Sequence, residues 1–95
     1  MAESKIQKAY VVGTTSAPSD TLASGGGKTF TADATKTGYK PIGIIGYKTG
    51  VTAGTATVYV AALYIDGNSA KAFIRNASDG NITLAPEFYV LYEKA

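Results

Sequence analysis

The sequence predicts an all-β protein, a compact antiparallel β-sandwich of jelly-roll or immunoglobulin-like kind with six to seven strands. Three observations lead there. Thr, Val, Ile, Tyr and Phe, the residues that fit a pleated sheet, dominate the chain, and 11 glycines punctuate it. No window sustains an apolar period of about 3.6 residues, so no amphipathic helix is expected. Turn signals recur about every 8–12 residues, the spacing of short strands in a sandwich.

The elements follow in order. Residues 5–15, KIQKAYVVGTT, read as a first strand. Residues 16–27, SAPSDTLASGGG, read as a flexible loop, because three consecutive glycines cost too much entropy inside an element. Within it Thr21-Leu22 is placed for a brief pairing. Residues 28–35, KTFTADAT, alternate as a half-buried strand does. Thr37-Gly38 is a turn. Residues 39–48, YKPIGIIGYK, form the next strand. Pro41 has no amide to donate, which assigns it to a strand start or an edge. Gly43 and Gly46 mark a bulge or a close backbone approach. Residues 49–55 are read as loop.

Residues 56–66, ATVYVAALYID, are the longest strand and read as apolar on both faces. Val58, Val60, Ala62 and Tyr64 fall on one side; Tyr59, Ala61, Leu63 and Ile65 fall on the other. Such a strand is either central and covered twice, or covered outside by another subunit. Asp66-Gly67 or Gly67-Asn68 then makes a tight hairpin, with the positive φ angles of a type I′ turn expected. Residues 69–76 return antiparallel. NASDGN, 76–81, is a turn, 82–84 a short strand, and Pro86 starts the last strand, 87–94. In that strand Phe88, Val90 and Tyr92 share one face; Tyr89, Leu91 and Glu93 share the other.

Ninety-five residues make one domain, 1–95, with one modest core. There is no cysteine and no histidine, so disulfides, thiolate metal sites and the commonest general base are all excluded. The net charge of +2 is too small to predict nucleic-acid binding. No apolar run approaches the ~18 residues of a membrane span. The start, MAESKIQKAY, lacks the apolar stretch of a signal peptide, so synthesis in the cytoplasm is expected.

No motif carries chemistry. Gly25-Gly26-Gly27-Lys28-Thr29 resembles the tail of a phosphate loop. Yet the leading glycine is replaced by Leu22, and a strand rather than a helix follows. Asp20, Asp33, Asp66, Asp79, Glu87 and Glu93 have no spacing that suggests an acid pair, and most lie in or beside turns, where Asp bonds the local backbone. Neither Asp66-Gly67-Asn68 nor Asp79-Gly80-Asn81 has the alternating acids of a calcium loop. Asn76-Ala77-Ser78 and Asn81-Ile82-Thr83 match the glycosylation tripeptide but read as turn asparagines. No catalytic residue, cofactor or metal is therefore assigned.

The seven tyrosines admit three readings. They are half-buried sheet residues, they stack on sugar rings, or they lie at a subunit contact. For sugar binding the candidates are Tyr39, Tyr47 and Tyr64. For a subunit contact the candidates are Ile6, Tyr10, Val11, Tyr59, Leu63, Phe88 and Tyr92.

One resemblance adds to this. A small-residue loop ending in glycine (LASGGGKTFTA), then GYKPIGIIGY, a long apolar strand, a strand ending Ile74-Arg75-Asn76, and a closing FYVLYEKA follow in that order. From about Leu22 to Lys94 the chain resembles the small β-sandwich virion modules of phages that infect Gram-positive bacteria. The resemblance implies a structural or adhesive virion part, commonly a homotrimer, and it supplies no active-site residues. The long fibre region of tail-fibre proteins is missing, so capsid decoration or a head fibre is implied alongside a tail-fibre module. The implied partners are other copies of the chain, the major capsid or a tail protein, and a host surface glycan. Residues 1–9 are the expected docking arm, since KIQKAYVV has strand propensity but no neighbouring hairpin mate.

Overall fold

The computed structural model describes residues 9–95, and among them it is all-β, with nine strands and no helix. They are β1 (Tyr10–Ser16), β2 (Asp20–Leu22), β3 (Gly27–Asp33), β4 (Tyr39–Lys48), β5 (Val51–Ala53), β6 (Val58–Asp66), β7 (Ser69–Asn76), β8 (Ile82–Leu84) and β9 (Glu87–Lys94). The count exceeds the expected six to seven because β2 and β5, pieces of three residues each, stand as strands of their own. β5 lies inside the segment read as loop.

The strands form three antiparallel sheets of three, ordered β1-β9-β4, β2-β8-β5 and β3-β7-β6. The last third of the chain thus supplies every central strand. Register runs almost continuously through the three sheets. Tyr10 pairs with Glu93, Asp20 with Leu84 and Gly27 with Arg75, with small slips between sheets. Backbone bonds bridge the junctions: Ala17 N–H to the Pro86 carbonyl, Ala85 N–H to Gly50, Asn76 N–H to Gly26 and Ala77 N–H to Thr57. β1 therefore has a mate within its own chain, β9. That mate is the last strand, which is no hairpin neighbour in sequence and so could not be read from the residues beside β1.

Alternation puts one face of each sheet into a shared core. Phe30, Ala32, Ala70, Ala72 and Ile74 come from β3-β7-β6; Leu22, Ile82 and Leu84 from β2-β8-β5; Phe88, Val90 and Tyr92 from β1-β9-β4. Phe30, Phe88, Ile74, Ile82, Leu84 and Val90 have almost no exposed surface. Burying one such side chain stabilises by about 1.5–3 kcal/mol.

Two local features set the outer surfaces. On the edge strand β4 the register slips between Pro41 and Gly43 and again between Ile44 and Gly46, so the expected bulges are present, with Ile42 and Ile45 as the extra residues. On β6 the register slips between Val60 and Ala62, with Ala61 extra. This bulge reverses the side-chain phase mid-strand. Val58, Val60, Leu63 and Ile65 therefore all pack against the core while Tyr59 and Tyr64 both face solvent. The two-sided apolar strand read from strict alternation is corrected accordingly. The hairpin joining β6 to β7 also differs: Gly67 alone has positive φ, 61°, and Asn68 does not. A first central glycine of that kind belongs to a type II′ turn.

Candidate functional site

The residues proposed for a subunit contact separate into two groups. Tyr10 and Tyr59 are exposed, at 52% and 53%. Val11 and Leu63 are half-buried and pack on the core. Phe88 and Tyr92 are core residues, on the inward phase of β9, and have no surface to offer a partner. The Tyr92 ring lies across Gly13, where a Cβ would stand 2.8 Å from ring atom Cε2. Burial raises the Tyr92 hydroxyl above the usual tyrosine range, and the nearby Asp33 carboxylate adds to this. Ile6 falls outside the described residues, as does all of the docking arm 1–9 except Ala9.

The sugar-site candidates are not brought together either. Tyr39 packs against the core with Lys36 Nζ 5.5 Å above its ring. Tyr47 is exposed on the edge strand β4, opposite Phe88. Tyr64 lies on a different sheet, where it joins Tyr59.

Two outer sheet faces emerge instead. The first belongs to β1-β9-β4 and is laid out in rows across the three strands. Tyr10, Glu93 and Lys40 form one end row; Ser16, Glu87 and Lys48 form the other. Between them lie Val12, Leu91 and Gly43, then Thr14, Tyr89 and Gly46. The bulged Ile42 and Ile45 stand beside the two glycines. Val12 is 57% exposed, Ile42 42% and Ile45 58%. Branched aliphatic residues left this open on the two edges of one face, with Leu91 of β9 between them, form a patch of the sort that marks an interaction surface. At one end the Tyr89 hydroxyl donates to Glu87 Oε1 at 3.0 Å. Its hydrogen bond to Lys48, with Glu87 close by, holds the lysine ammonium above the usual range.

The second face belongs to β3-β7-β6. Tyr59 and Arg75 lie opposite Gly27; Ala62 and Phe73 opposite Thr29; Tyr64 and Lys71 opposite Thr31. Gly27 is needed here because a Cβ would come within 2.6 Å of the Phe73 ring, which leans over it. The Arg75 guanidinium stacks 5.8 Å from that ring centroid and donates to the Gly25 carbonyl at 3.0 Å. The Lys71 ammonium sits 3.0 Å from Asp66, which raises its pKa above the usual lysine value.

A polar cup of about 460 Å³ opens between Thr55, Thr57, Ser78, Asp79 and Asn81. Its floor is held by Asn76, which is fully buried. The Asn76 amide donates to Leu22 and Gly80 carbonyls at 3.0 and 2.9 Å, and its oxygen accepts from Ser78 N–H at 2.8 Å. Burial excludes Asn76 as a glycan acceptor. The acidic groups are engaged locally: Asp20 with Lys28 and Thr21, Asp33 with Thr35, Asp66 with Lys71. Among the described residues no three His, Cys, Asp or Glu side chains stand close enough to hold a metal ion.

Sequence reasoning missed Val12, Ile42, Ile45 and Phe73. The signal was present in Gly43 and Gly46, whose two bulges leave the residue just before each, Ile42 and Ile45, exposed while Ile44 packs on the core, and in a strand that reads apolar on both faces, which itself points to a phase reversal. No protein-family model, curated protein sequence or solved structure matches this chain.

Proposed function

We propose that this chain is a non-enzymatic structural protein of a phage virion, oligomeric and exposed on the particle surface as capsid decoration, head fibre or tail-fibre module. Its framework is read as a β-sandwich, with β1-β9-β4 and β3-β7-β6 covering two sides of the core and β2-β8-β5 closing one end. The observation that carries the proposal is the open aliphatic patch of Val12, Ile42 and Ile45 on a sheet whose other face is a finished core. A part built to assemble needs such a second apolar surface; a freely diffusing domain is destabilised toward aggregation by it. The resemblance to small virion modules points the same way. The test is mass spectrometry and immunogold labelling of gradient-purified particles. The chain is expected on the particle at stoichiometric copy number, and its absence from pure particles overturns the proposal.

A second reading is favoured by the grouping of Tyr59, Phe73 and Tyr64 beside Arg75. Aromatic rings with a pinned guanidinium and flanking threonine hydroxyls suit stacking against sugar rings. Lys71 is matched by Asp66, so a neutral host glycan fits better than an anionic one. Under this reading, binding on a glycan panel is lost in both Tyr59→Ala and Tyr64→Ala and kept in Tyr39→Ala. A panel without any binding to the native chain removes it.

A further inference from the structure

We infer that the outer edge of β1 pairs with β1 of a second copy, antiparallel and about a twofold axis through Gly13, so that two sheets join into one of six strands ordered β4-β9-β1-β1-β9-β4. This rests on the reading of the chain as an assembling structural protein, and it replaces the threefold arrangement expected from the resemblance with a twofold one.

Two backbone bonds fix the phase of β1. Lys94 N–H donates to the Ala9 carbonyl, and Ala17 N–H donates to the Pro86 carbonyl. The register between them is unbroken. The odd-numbered residues therefore exchange bonds with β9, and the N–H and C=O groups of Tyr10, Val12, Thr14 and Ser16 point away from it. Among the described residues none of these outward groups is bonded by a turn or loop. The strand, YVVGTTS, holds no charge, no proline and no bulge. An edge of this kind is a template for another strand.

The other long edges are guarded. β4 carries Pro41, two bulges and a lysine at each end of its row, Lys40 and Lys48. β6 carries the bulge at Ala61. On β3 the bonds of Ala34 to Asn68 and of Asn76 to Gly26 assign the even-numbered residues to β7, so the odd ones face outward. One of those outward groups, the Asp33 carbonyl, already accepts from the Thr15 hydroxyl at 2.5 Å. Lys28 brings a charge to the inward phase of the same strand, where it pairs with Asp20, and Pro18 and Ser19 wall a crevice of about 270 Å³ beside it. Proline, bulges and charges are the devices that keep a sheet edge from being extended. β1 has none of them.

β1 is also complementary to itself. An axis through Gly13 sets Tyr10 opposite Ser16 of the second copy and Val12 opposite Thr14, and each of these pairs uses outward groups on both sides. All four outward residues are then bonded, with about eight backbone bonds between the copies. Moving the axis to Val12 or Thr14 leaves one residue of each copy without a mate. On the outer face Val12 meets Thr14, a β-branched pair that suits a sheet. On the inner face Gly13 meets Gly13, and the Tyr92 ring that lies across it in each copy fills the space above the axis. No like charges are brought together. The nearest glutamates across the axis, Glu93 and Glu87, stand three strand spacings apart, about 14 Å, and each lies opposite a lysine of its own copy.

The contact is about 23 Å long and one sheet thick, about 10 Å. That is well below the ~800 Å² per partner of a standard interface, so the pair is expected to come apart on dilution. It leaves the aliphatic face of both copies open on the same side of the joined sheet, where a larger partner can cover it.

Light scattering on the native chain is expected to give a mass that rises from 9.8 kDa toward twice that value between micromolar and millimolar concentration. Amide exchange at Val12 and Thr14 is expected to slow over the same range, while that of Tyr64 on the β6 edge does not. Thr14→Pro removes an outward N–H that β9 does not use and leaves Val12, Ile42 and Ile45 untouched; it is expected to stay monomeric with an unchanged far-ultraviolet circular dichroism spectrum. Disulfide trapping reads the register, since the native chain has no cysteine. Val12 and Thr14 of opposite copies stand about 5.5 Å apart, within reach of a disulfide, whereas each lies a further two residues along the strand from its own symmetry mate. Mild oxidation is expected to link a mixture of Val12→Cys and Thr14→Cys chains, but neither variant alone, nor Tyr10→Cys mixed with Thr14→Cys. A native chain that stays monomeric at millimolar concentration or forms trimers, pairing that survives in folded Thr14→Pro, or single variants linked as readily as the mixture overturns the inference. A monomeric chain that is nonetheless found on purified particles sinks this pairing and leaves the virion reading standing. A dimer absent from particles does the reverse.

Discussion

At the scale of single residues, Asn76 is the least replaceable polar group described. It ends β7, it is fully buried, and its side chain bonds three backbone groups, one on β2 and two in the 76–81 turn. Its own N–H and C=O are also used, by Gly26 and Gly25. One side chain thus ties β2, the 76–81 turn and the end of β7 together. Replacing it by Ala leaves two carbonyls and one amide without partners, and burial makes each costly at about 1–3 kcal/mol, less whatever water recovers. Asn76→Ala is expected to destabilise by about 2–4 kcal/mol, which for a domain of this size lowers Tm by roughly 10–20 °C. Thermal denaturation followed by circular dichroism checks this. Asn81→Ala, at an exposed position in the same turn, is the control and is expected to change Tm by no more than a few degrees. A shift for Asn76→Ala no larger than the control's would show that the buried bonds do not hold the junction. The sequence placed Asn76 correctly in a turn but gave no sign of its burial, because two of its partners, Leu22 and Gly26, come from more than 45 residues away.

At the scale of elements, the strands that the sequence defines best are those bounded by local chemistry. β4, β7, β8 and β9 begin and end where glycine, proline and asparagine turns place them. The alternation of β9 is equally readable, with Phe88, Val90 and Tyr92 on one face, since no bulge interrupts it against β1; that this face turns inward is not, and the contact expected of Phe88 and Tyr92 gives way to core. What could not be read was anything set by a distant partner. β5 is three residues long and exists because β8 lies beside it. The mate of β1 is the last strand. The phase of β6 turns on a single extra residue; reading it without that residue moves Leu63 from the core onto the surface and hides that Tyr59 and Tyr64 share the outer face. The bulge makes a direct prediction. Removing one alanine from Ala61-Ala62 deletes the extra residue and leaves the pairs Val60 with Ile74 and Leu63 with Ala72 in place. The variant is expected to fold, with Tm lowered by less than about 10 °C. Removing Lys71 from the central strand β7 instead inverts the remaining side chains against both β3 and β6, so that variant is expected to be unfolded. Circular dichroism and dispersion of amide resonances distinguish the two. An unfolded alanine deletion would mean that the slip at Ala61 is not what sets the phase of the strand.

At the scale of the whole molecule, the three sheets enclose one core and leave two contrasting outer faces, one aliphatic with charges at its ends and one aromatic beside an arginine. Under the virion reading proposed above, one such face serves assembly and the other is presented outward. The docking arm proposed for the start of the chain lies, up to residue 8, outside the described residues; the described β1–β9 register runs from Tyr10 to Ser16, with the Ala9 carbonyl accepting from Lys94 N–H. Under the docking-arm reading, attachment separates from the fold. A chain lacking residues 1–8 is expected to keep its fold in circular dichroism, yet to fail to bind particles that have been stripped of the native protein. Co-sedimentation of native and shortened chains with such particles measures this directly. Attachment retained by the shortened chain would move the docking surface from the arm to a sheet face, with the aromatic face of β3-β7-β6 the next to be mutated. Loss of the fold together with attachment would instead show that residues 1–8 belong to the framework itself, and that the described strands do not suffice without them.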